Sequence, residues 1–182
     1  MKLIATPLND VFIVEAPVHA DARGYFNEIY QAEKFATLGL TMRFVQDNHS
    51  YSKRDVLRGM HFQRHEPQGK LVQIVHGSIF DVAVDLRKSS STFGQWFGTE
   101  FHAGDGRQLW IPAGLAHGFA VLSDTASVAY KCTAFYNAVS EVTLAWNDKK
   151  IGINWPAPRG EQFHLSAKDA SGTPFASLDP LP

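Results

Sequence analysis

Hydrophobic side chains recur at every second position along much of the chain, and this spacing constrains the fold more than any other feature. The alternation is clearest in residues 79–86, 128–133 and 142–147. A two-residue period is that of a β-strand with one apolar face. In the middle of the chain, glycine or proline interrupts these runs about every ten residues, as turns between short strands do. The pattern therefore predicts a mainly β protein, either a sandwich or a barrel.

Helical patterns are scarce by comparison. Residues 31–38 combine an apolar spacing of three with a glycine stop at Gly39, which predicts one short helix. The tail from about residue 155 to residue 182 contains five of the nine prolines and predicts irregular chain with at most short helices packed over the barrel. The chain has 182 residues, 45% of them hydrophobic, which is enough for one buried core and short for two. We expect a single domain spanning residues 1–182.

Charge and cysteine content indicate which partners and which cellular compartment to expect. The 17 Lys and Arg nearly balance the 18 Asp and Glu, and no run of like charge could follow a phosphate backbone or a membrane surface. One cysteine cannot form an internal disulfide, and residues 1–7 lack the long apolar stretch of a signal peptide or spanning helix. We therefore expect a cytoplasmic protein with neither nucleic acid nor membrane as a partner.

One stretch fits the pattern of a known barrel. Gly106, Pro112, Gly114 and His117 have the spacing of the second cupin motif, which belongs to small jelly-roll barrels, although Val121 replaces its asparagine. The first cupin motif is present only in altered form, as His61, Gln63, Lys70 and Gly77. An amide replaces one imidazole there, and a lysine stands where a carboxylate ligand is expected. A metal site is therefore disfavoured, because a divalent ion needs several imidazoles and a carboxylate.

Without a metal, His61 and Lys70 form a pair suited to removing a proton next to a carbonyl. Histidine takes and returns protons near neutral pH, and a nearby cation stabilises the enolate oxygen that develops. Each residue also has a structural interpretation. His61 fits a core histidine with satisfied hydrogen bonds, and Lys70 fits a solvated lysine at a strand end.

Six short motifs occur in one order over nearly the whole chain. They are Asp21-x-Arg23-Gly24-Tyr25-Phe26, Gln46-x-Asn48-x-Ser50, Arg58-Gly59-Met60-His61-Phe62-Gln63, Gly69-Lys70-Leu71-Val72, Ile111-Pro112-x-Gly114-x-Ala116-His117-Gly118-Phe119 and Leu165-Ser166-x-Lys168-Asp169. Together they resemble the dTDP-4-dehydrorhamnose 3,5-epimerase family, cofactor-independent enzymes of the dTDP-L-rhamnose pathway with a cupin fold. The resemblance implies a jelly-roll barrel with a few short helices and no metal or nicotinamide.

The resemblance also implies a substrate and catalytic roles. The family acts on a dTDP-linked 4-keto-6-deoxy sugar, whose ketone acidifies the hydrogens on C3 and C5. By resemblance His61 is the base, Asp169 its partner, Tyr130 the acid on the opposite face and Lys70 the group near the keto oxygen. Two questions stay open on the residues alone: Tyr136, six residues further on, competes with Tyr130, and Ser166 with Asp169 also fits a helix-capping box.

The remaining matches concern substrate binding. The resemblance implies that cationic side chains contact the diphosphate, namely Arg23, Arg58 and Lys168. It implies that Glu28, Gln46 and Asn48 contact the nucleotide or its sugar, and that His117 and Glu141 lie near the ligand. In the family, N-terminal strands exchange between two subunits, so a homodimer is implied.

The leading hypothesis is therefore epimerisation at both C3 and C5. A C3-only epimerase of a related nucleotide deoxysugar uses the same base and acid, because ring flipping rather than residue type separates one exchange from two. Two further hypotheses are a metal-dependent cupin oxygenase and a non-catalytic sugar-nucleotide binding barrel. Turnover after replacement of His61 and metal analysis of the protein distinguish these classes.

Overall fold

A computed structural model describes residues 1–181, which form thirteen strands and two short α-helices. The strands up to the chain centre are β1 (Lys2–Ala5), β2 (Phe12–Glu15), β3 (Val18–Asp21), β4 (Gly24–Asn27), β5 (Gln46–Lys53), β6 (Leu57–Gln63) and β7 (Lys70–His76). Those that follow are β8 (Ser78–Asp85), β9 (Trp96–His102), β10 (Arg107–Ile111), β11 (Leu115–Val121), β12 (Thr125–Cys132) and β13 (Glu141–Thr143). The helices are α1 (Ala32–Thr37) and α2 (Ala167–Ala170), and a 3₁₀ turn covers Phe175–Ser177.

The strands form two larger antiparallel sheets and one separate hairpin. The six-stranded sheet has the order β1-β2-β10-β7-β12-β5, and the five-stranded sheet has the order β13-β6-β11-β8-β9. Strands β3 and β4 pair only with each other within the described residues. The predicted mainly β jelly roll with few helices is confirmed, because most neighbours in each sheet are distant in sequence, as in that fold.

The core between the two sheets contains side chains from both. Val72, Leu109 and Val128 come from the six-stranded sheet, and Ile79 and Phe119 come from the five-stranded sheet. All five are almost fully buried. Tyr130 packs against this cluster, so the prediction that it faces the barrel interior with Val128 is confirmed. Tyr130 thus brings a hydroxyl group to the barrel interior.

The face of strand β8 that points into the barrel is the opposite of the one that its apolar alternation suggests. Val82 and Val84 lie in a second cluster on the outer side of the five-stranded sheet, whereas Ile79 and Ala83 lie in the interior core. Both faces of β8 are buried, since the chain beyond β13 covers the outer side. The alternation therefore identified the strand, but apolar content alone did not distinguish its interior face.

The C-terminal chain packs against the outer face of the five-stranded sheet. Ile151, Phe175 and Leu181 are buried there against the sheet. Backbone hydrogen bonds fasten this segment at several points, including Leu57 N–H to the His164 carbonyl and Lys88 N–H to the Leu181 carbonyl. This arrangement places α2 beside β6.

Helix α1 lies within the segment where the sequence predicted one, and that prediction is confirmed. Its N-cap is Gln31, whose side chain accepts a hydrogen bond from Lys34 N–H. Phe35 is buried in a third cluster with Leu40 and Trp110, on the outer face of the six-stranded sheet. The β3–β4 hairpin precedes this helix and leaves the Phe26 side chain exposed.

Candidate active site

The clearest candidate for catalysis is an imidazole–carboxylate pair between β6 and α2. His61 Nε2 lies 2.6 Å from Asp169 Oδ1. The Asp169 side chain is 5% exposed, whereas that of His61 is 24% exposed. A buried carboxylate thus holds one ring nitrogen of an imidazole that solvent or a ligand can still reach. The pair that the family resemblance implied is present in the structure.

Two glycines explain how the strand carrying His61 fits against its neighbour. Gly59 has φ +124°, and a Cβ at this position would lie 2.5 Å from Gly118 Cα on β11. Gly118 approaches β6 equally closely, with a Cβ position 2.6 Å from Met60 Sδ. Side chains here would force β6 and β11 apart. The glycines of the Arg-Gly-x-His and His-Gly-Phe motifs therefore place His61 and His117 on adjoining strands at close range.

Both oxygens of Asp169 accept hydrogen bonds. Ser166 Oγ donates to Oδ2 at 2.7 Å, and Gly59 N–H makes a longer contact with Oδ1 at 3.4 Å. Burial favours the neutral acid, but hydrogen bonds from His61, Ser166 and Gly59 outweigh it and hold the pKa of Asp169 below its usual value. Asp169 is therefore ionised near neutral pH, and since a carboxylate only accepts, His61 Nε2 carries the hydrogen between them.

Lys70 begins β7 inside the barrel and is 9% exposed. Its Nζ lies 3.5 Å from the His61 carbonyl oxygen, at the limit of a hydrogen bond. Burial lowers the pKa of Lys70 below its usual value, and nearby Cys132, Glu141 and Asp81 partly oppose that effect. The interpretation of Lys70 as a solvated strand-end lysine is wrong, because the side chain is buried next to the strand that carries His61.

Tyr130 lies on β12, opposite Asn48 on β5 and Val72 on β7. Burial raises the pKa of its hydroxyl, so the group is protonated at neutral pH and is able to donate a proton. Tyr136 lies beyond the end of this strand, is exposed, and donates to Glu141 Oε2 at 2.9 Å. The two tyrosines therefore occupy different environments, and only Tyr130 packs against the interior core.

A second imidazole–carboxylate pair lies beside the first. His117 on β11 is the cross-strand partner of His61, and its Nε2 lies 2.6 Å from Asp81 Oδ1. This pair is more deeply buried: the His117 side chain is 8% exposed and that of Asp81 is fully buried. Asp81 Oδ2 has no hydrogen-bond partner among residues 1–181. Two histidines with carboxylate partners thus face each other across neighbouring strands.

Glu141 connects the exposed loop after β12 with α2. Its Oε2 accepts the Tyr136 hydroxyl, and its Oε1 lies 2.9 Å from Lys168 Nζ. Burial raises the pKa of this carboxyl, but Lys168 and Tyr136 outweigh that effect and hold it below its usual value. Since Lys168 precedes Asp169, the Glu141 carboxylate lies close to the helix that carries the partner of His61.

Polar residues of β5 and β6 form hydrogen bonds near these groups, and among them Arg58 is exposed. Gln46 Nε2 donates to Asn48 Oδ1 at 2.9 Å, and Asn48 Nδ2 makes a 3.4 Å contact with Cys132 Sγ. Arg58 Nε donates to Ser52 Oγ at 2.9 Å. Three of the residues implied for substrate binding, Gln46, Asn48 and Arg58, therefore lie on β5, which pairs with the strand of Tyr130, or on β6, which carries His61.

Arg23 and Glu28 are not brought to this site within one chain. Arg23 lies in the turn of the β3–β4 hairpin, where its side chain is 90% exposed and pairs with Asp21. Glu28 follows the hairpin and pairs with Lys34 of α1 at 2.7 Å. The described contacts of both side chains thus involve local partners, away from His61.

Three residues near the site are not among the candidates that the sequence supplies. Asp81 belongs to the polar alternate face of β8 by its spacing, and the structure turns that face inward to His117. Ser166 fits only a helix cap in the sequence, whereas its hydroxyl also contacts the Asp169 carboxylate. Gln63 holds the loop after β12, since its side chain bonds the backbone of Phe135 and Asn137. An acidic residue at even spacing in a buried strand is the signal that could have identified Asp81.

Within residues 1–181, no three His, Cys, Asp or Glu side chains are grouped so that they could hold a metal ion. His61 and His117, the histidines of the two cupin motifs, each form a hydrogen bond with a carboxylate. In the same residues, no helix has the length and apolar character needed to cross a membrane.

The jelly-roll barrel thus contains an imidazole–carboxylate pair, a buried lysine and a buried tyrosine, which are side chains chemically able to transfer protons. A family model described as dTDP-4-dehydrorhamnose 3,5-epimerase matches residues 5–177. The chain therefore belongs to the dTDP-4-dehydrorhamnose 3,5-epimerase family, as its motifs predicted.

Individual relatives agree with this assignment. The chain is 53% identical over 173 residues to a dTDP-4-dehydrorhamnose 3,5-epimerase of Salmonella typhimurium, covering 94% of this chain and 93% of the relative. It is 47% identical over 174 residues to the enzyme of that name from Methanothermobacter thermautotrophicus, covering 96% and 94%. Among solved structures, a Legionella pneumophila dTDP-6-deoxy-D-glucose-3,5-epimerase in complex with dTDP-4-keto-L-rhamnose matches with a TM-score of 0.93 and 46% identity, covering 98% of this chain and 94% of that one.

Proposed function

We propose that this protein is an isomerase that converts dTDP-4-dehydro-6-deoxy-D-glucose to dTDP-4-dehydro-L-rhamnose, in dTDP-L-rhamnose biosynthesis. It inverts C3 and C5 by proton abstraction and reprotonation through an enolate. The observation that carries this proposal is the 2.6 Å pair of His61 and Asp169, whose imidazole is partly exposed and whose carboxylate is buried. Such chemistry needs a base, an acid and a group that stabilises an oxyanion, and the chain supplies each as a side chain.

The proposed proton transfer starts at His61. With Nε2–H bonded to Asp169, the free nitrogen is Nδ1, which takes the proton from C3 or C5. Asp169 then stabilises the imidazolium that forms, as the third group does in hydrolytic triads. The electron pair moves to the C4 oxygen, where the cationic form of Lys70 stabilises the enolate. Tyr130 returns a proton to the opposite face of the carbon, and both groups are restored through solvent.

We propose that the nucleotide is held by two subunits. Arg58, Gln46 and Asn48 lie on the elements around His61, and Lys168, Glu141 and His117 adjoin the two pairs. In the described part of the chain, Arg23 pairs with Asp21 and Glu28 pairs with Lys34, and the Arg23 side chain is 90% exposed. In a homodimer with exchanged N-terminal strands, the hairpin of one subunit would bring its Arg23 and Glu28 to the diphosphate and nucleoside in the partner's barrel.

Two broader features belong to the same proposal. One is that residues 1–182 form a single cupin-like domain. The burial of Phe175 and Leu181 against the five-stranded sheet supports the C-terminal tail as part of this domain. A cytoplasmic setting is proposed as well, supported by a single free cysteine, Cys132, in the chain.

Proton NMR in deuterated water tests the function directly. Chelator-treated protein is incubated with dTDP-4-dehydro-6-deoxy-D-glucose while the C3 and C5 signals are followed. We expect deuterium at both carbons and conversion to the L-rhamno product. Exchange at C3 alone would make the protein a C3 epimerase, and exchange only after metal is restored would make it a metallocupin. Absence of exchange together with tight dTDP binding would leave a binding barrel.

A further inference from the structure

Building on the proposed function, we propose that Ser166 is a positioning residue for proton transfer, which orients the Asp169 carboxylate toward His61 through a hydroxyl hydrogen bond. The sequence suggested only a helix cap at this position. The structure gives the side chain a second contact, and that contact is with the partner of the proposed base.

The hydroxyl of Ser166 makes two hydrogen bonds at once. Its oxygen accepts from Asp169 N–H at 3.1 Å, which is the capping bond at the start of α2. Its hydrogen is donated to Asp169 Oδ2 at 2.7 Å. A hydroxyl has one hydrogen and two lone pairs, so the two roles do not compete. Ser166 therefore fixes both the backbone and the carboxylate of Asp169.

The donated bond determines which way the carboxylate points. Asp169 Oδ1 faces His61 Nε2 and Gly59 N–H, and among residues 1–181 the hydrogen-bond partner of Oδ2 is Ser166 alone. Loss of the Oδ2 contact would leave the carboxylate held at Oδ1 alone and would leave a buried oxygen without a partner, because the Asp169 side chain is 5% exposed.

The same bond also affects the proton affinity of the pair. A donor on the carboxylate favours its ionised form, and Ser166 is among the groups that hold the pKa of Asp169 below its usual value against the effect of burial. Without this donor, less opposes the effect of burial, and the pKa of Asp169 rises.

Substitutions separate orientation from capping. Ser166→Gly and Ser166→Ala both remove the donor, but glycine is tolerated at an N-cap and alanine is not. Ser166→Thr keeps the hydroxyl and serves as the conservative variant. Ser171→Ala is the matched control, because Ser171 lies at the other end of α2 and its exposed hydroxyl bonds the Ala167 and Lys168 carbonyls instead of Asp169.

Two measurements are made on each variant: the pH dependence of kcat for C3 and C5 exchange, and the titration of the Asp169 carboxyl carbon by NMR without substrate. We expect kcat to fall about 10-fold in Ser166→Gly and Ser166→Ala alike, as for the loss of one hydrogen bond to a charged group. The titration midpoint should move to higher pH in both, while their dTDP affinity stays near that of the wild type. Ser166→Thr and Ser171→Ala should have wild-type kcat and a wild-type titration midpoint.

The outcomes are distinct. A loss confined to Ser166→Ala, with Ser166→Gly active and titrating as wild type, would overturn the inference and leave Ser166 as a cap only. Unchanged titration in both donor-free variants would overturn it as well. If the wild-type protein exchanged neither carbon, the proposed function would fail, and a shifted midpoint would still establish the contact between Ser166 and the pair.

Discussion

The barrel contains two imidazole–carboxylate pairs of equal length on adjoining strands, and they differ in what surrounds them. In both, Nε2 lies 2.6 Å from a carboxylate oxygen. The His61 side chain is 24% exposed, three times the 8% of His117. Asp169 has hydrogen bonds on both oxygens, whereas Asp81 Oδ2 lacks a partner among the described residues.

From these differences we predict different tasks for the two pairs. A general base has to reach a substrate hydrogen, and its carboxylate has to remain charged and oriented when the imidazolium forms. His61 and Asp169 meet both conditions. His117 is buried, and within residues 1–181 its carboxylate partner Asp81 is held at one oxygen only, which suits a residue that shapes the interior beside His61. Short distance alone therefore does not identify a base, and substitution of each histidine tests the distinction.

The largest expected effect is that of His61→Asn. Removing the base should lower exchange at both C3 and C5 by about 100-fold to 10,000-fold. Binding of dTDP should be retained, because His61 is not proposed to contact the nucleotide. The measurement is turnover by NMR together with dTDP titration by calorimetry. Turnover at the wild-type rate would exclude His61 as the base.

Tyr130→Phe should have the next largest effect. Unlike His61→Asn, it should impair product formation more than deuterium exchange. Burial raises the pKa of the Tyr130 hydroxyl, so it acts as a proton donor rather than a base. We expect formation of the inverted product to fall about 100-fold, with a smaller loss of deuterium exchange into recovered substrate. Comparing the two rates in one NMR experiment checks this. Equal loss of both would mean that Tyr130 only positions the sugar. Tyr136→Phe is the control on the competing tyrosine.

His117→Asn should lower exchange about 10-fold or less, well below the effect at His61. Its main consequence is on stability, because an asparagine is too short to reach Asp81 and leaves a fully buried carboxylate without a donor. The free energy of unfolding should fall by about 3 kcal/mol. Urea unfolding at neutral pH measures this change. A loss of exchange as large as that of His61→Asn, in folded protein, would remove the distinction between the pairs.

The smallest expected effect concerns stability at acid pH. The pKa of Asp169 is lowered in the folded protein, so its ionised form contributes stability that is fully present above the unfolded pKa, near pH 4, and is lost as pH falls through the folded value. Asp169→Asn should therefore unfold with a weaker pH dependence below about pH 4. Thermal unfolding from pH 7 to pH 3 compares the two proteins. An unchanged slope would show that Asp169 contributes nothing to acid sensitivity.

Local sequence signals predicted part of this arrangement. Alternation identified the interior position of Tyr130, because one side of β12 is apolar and the other is mixed. The family motifs supplied His61, Lys70 and Asp169. The inward face of β8 was not predictable in this way, because the C-terminal chain buries its other side and so gives both sides apolar residues.

The position of the Ser166–Asp169 bond beside His61 and the position of Arg23 depend on longer-range structure. A serine before a short helix fits a cap in any sequence, and its bond to Asp169 spans only three residues. That bond adjoins His61 because α2 packs beside β6. Arg23 belongs to a motif of the family, yet within one chain it lies on an exposed hairpin. A single sequence does not encode which subunit completes a site, so that position stays a prediction about the dimer.

The most direct test of the central claim is a single-turnover comparison of His61→Asn and His117→Asn in deuterated water with dTDP-4-dehydro-6-deoxy-D-glucose. Each protein is first shown to be folded and to bind dTDP. We predict that His61→Asn loses at least about 100-fold in deuterium incorporation at C3 and C5, while His117→Asn loses about 10-fold or less. The reverse order, or equal losses, would contradict the assignment of His61 and Asp169 as the proton-transferring pair.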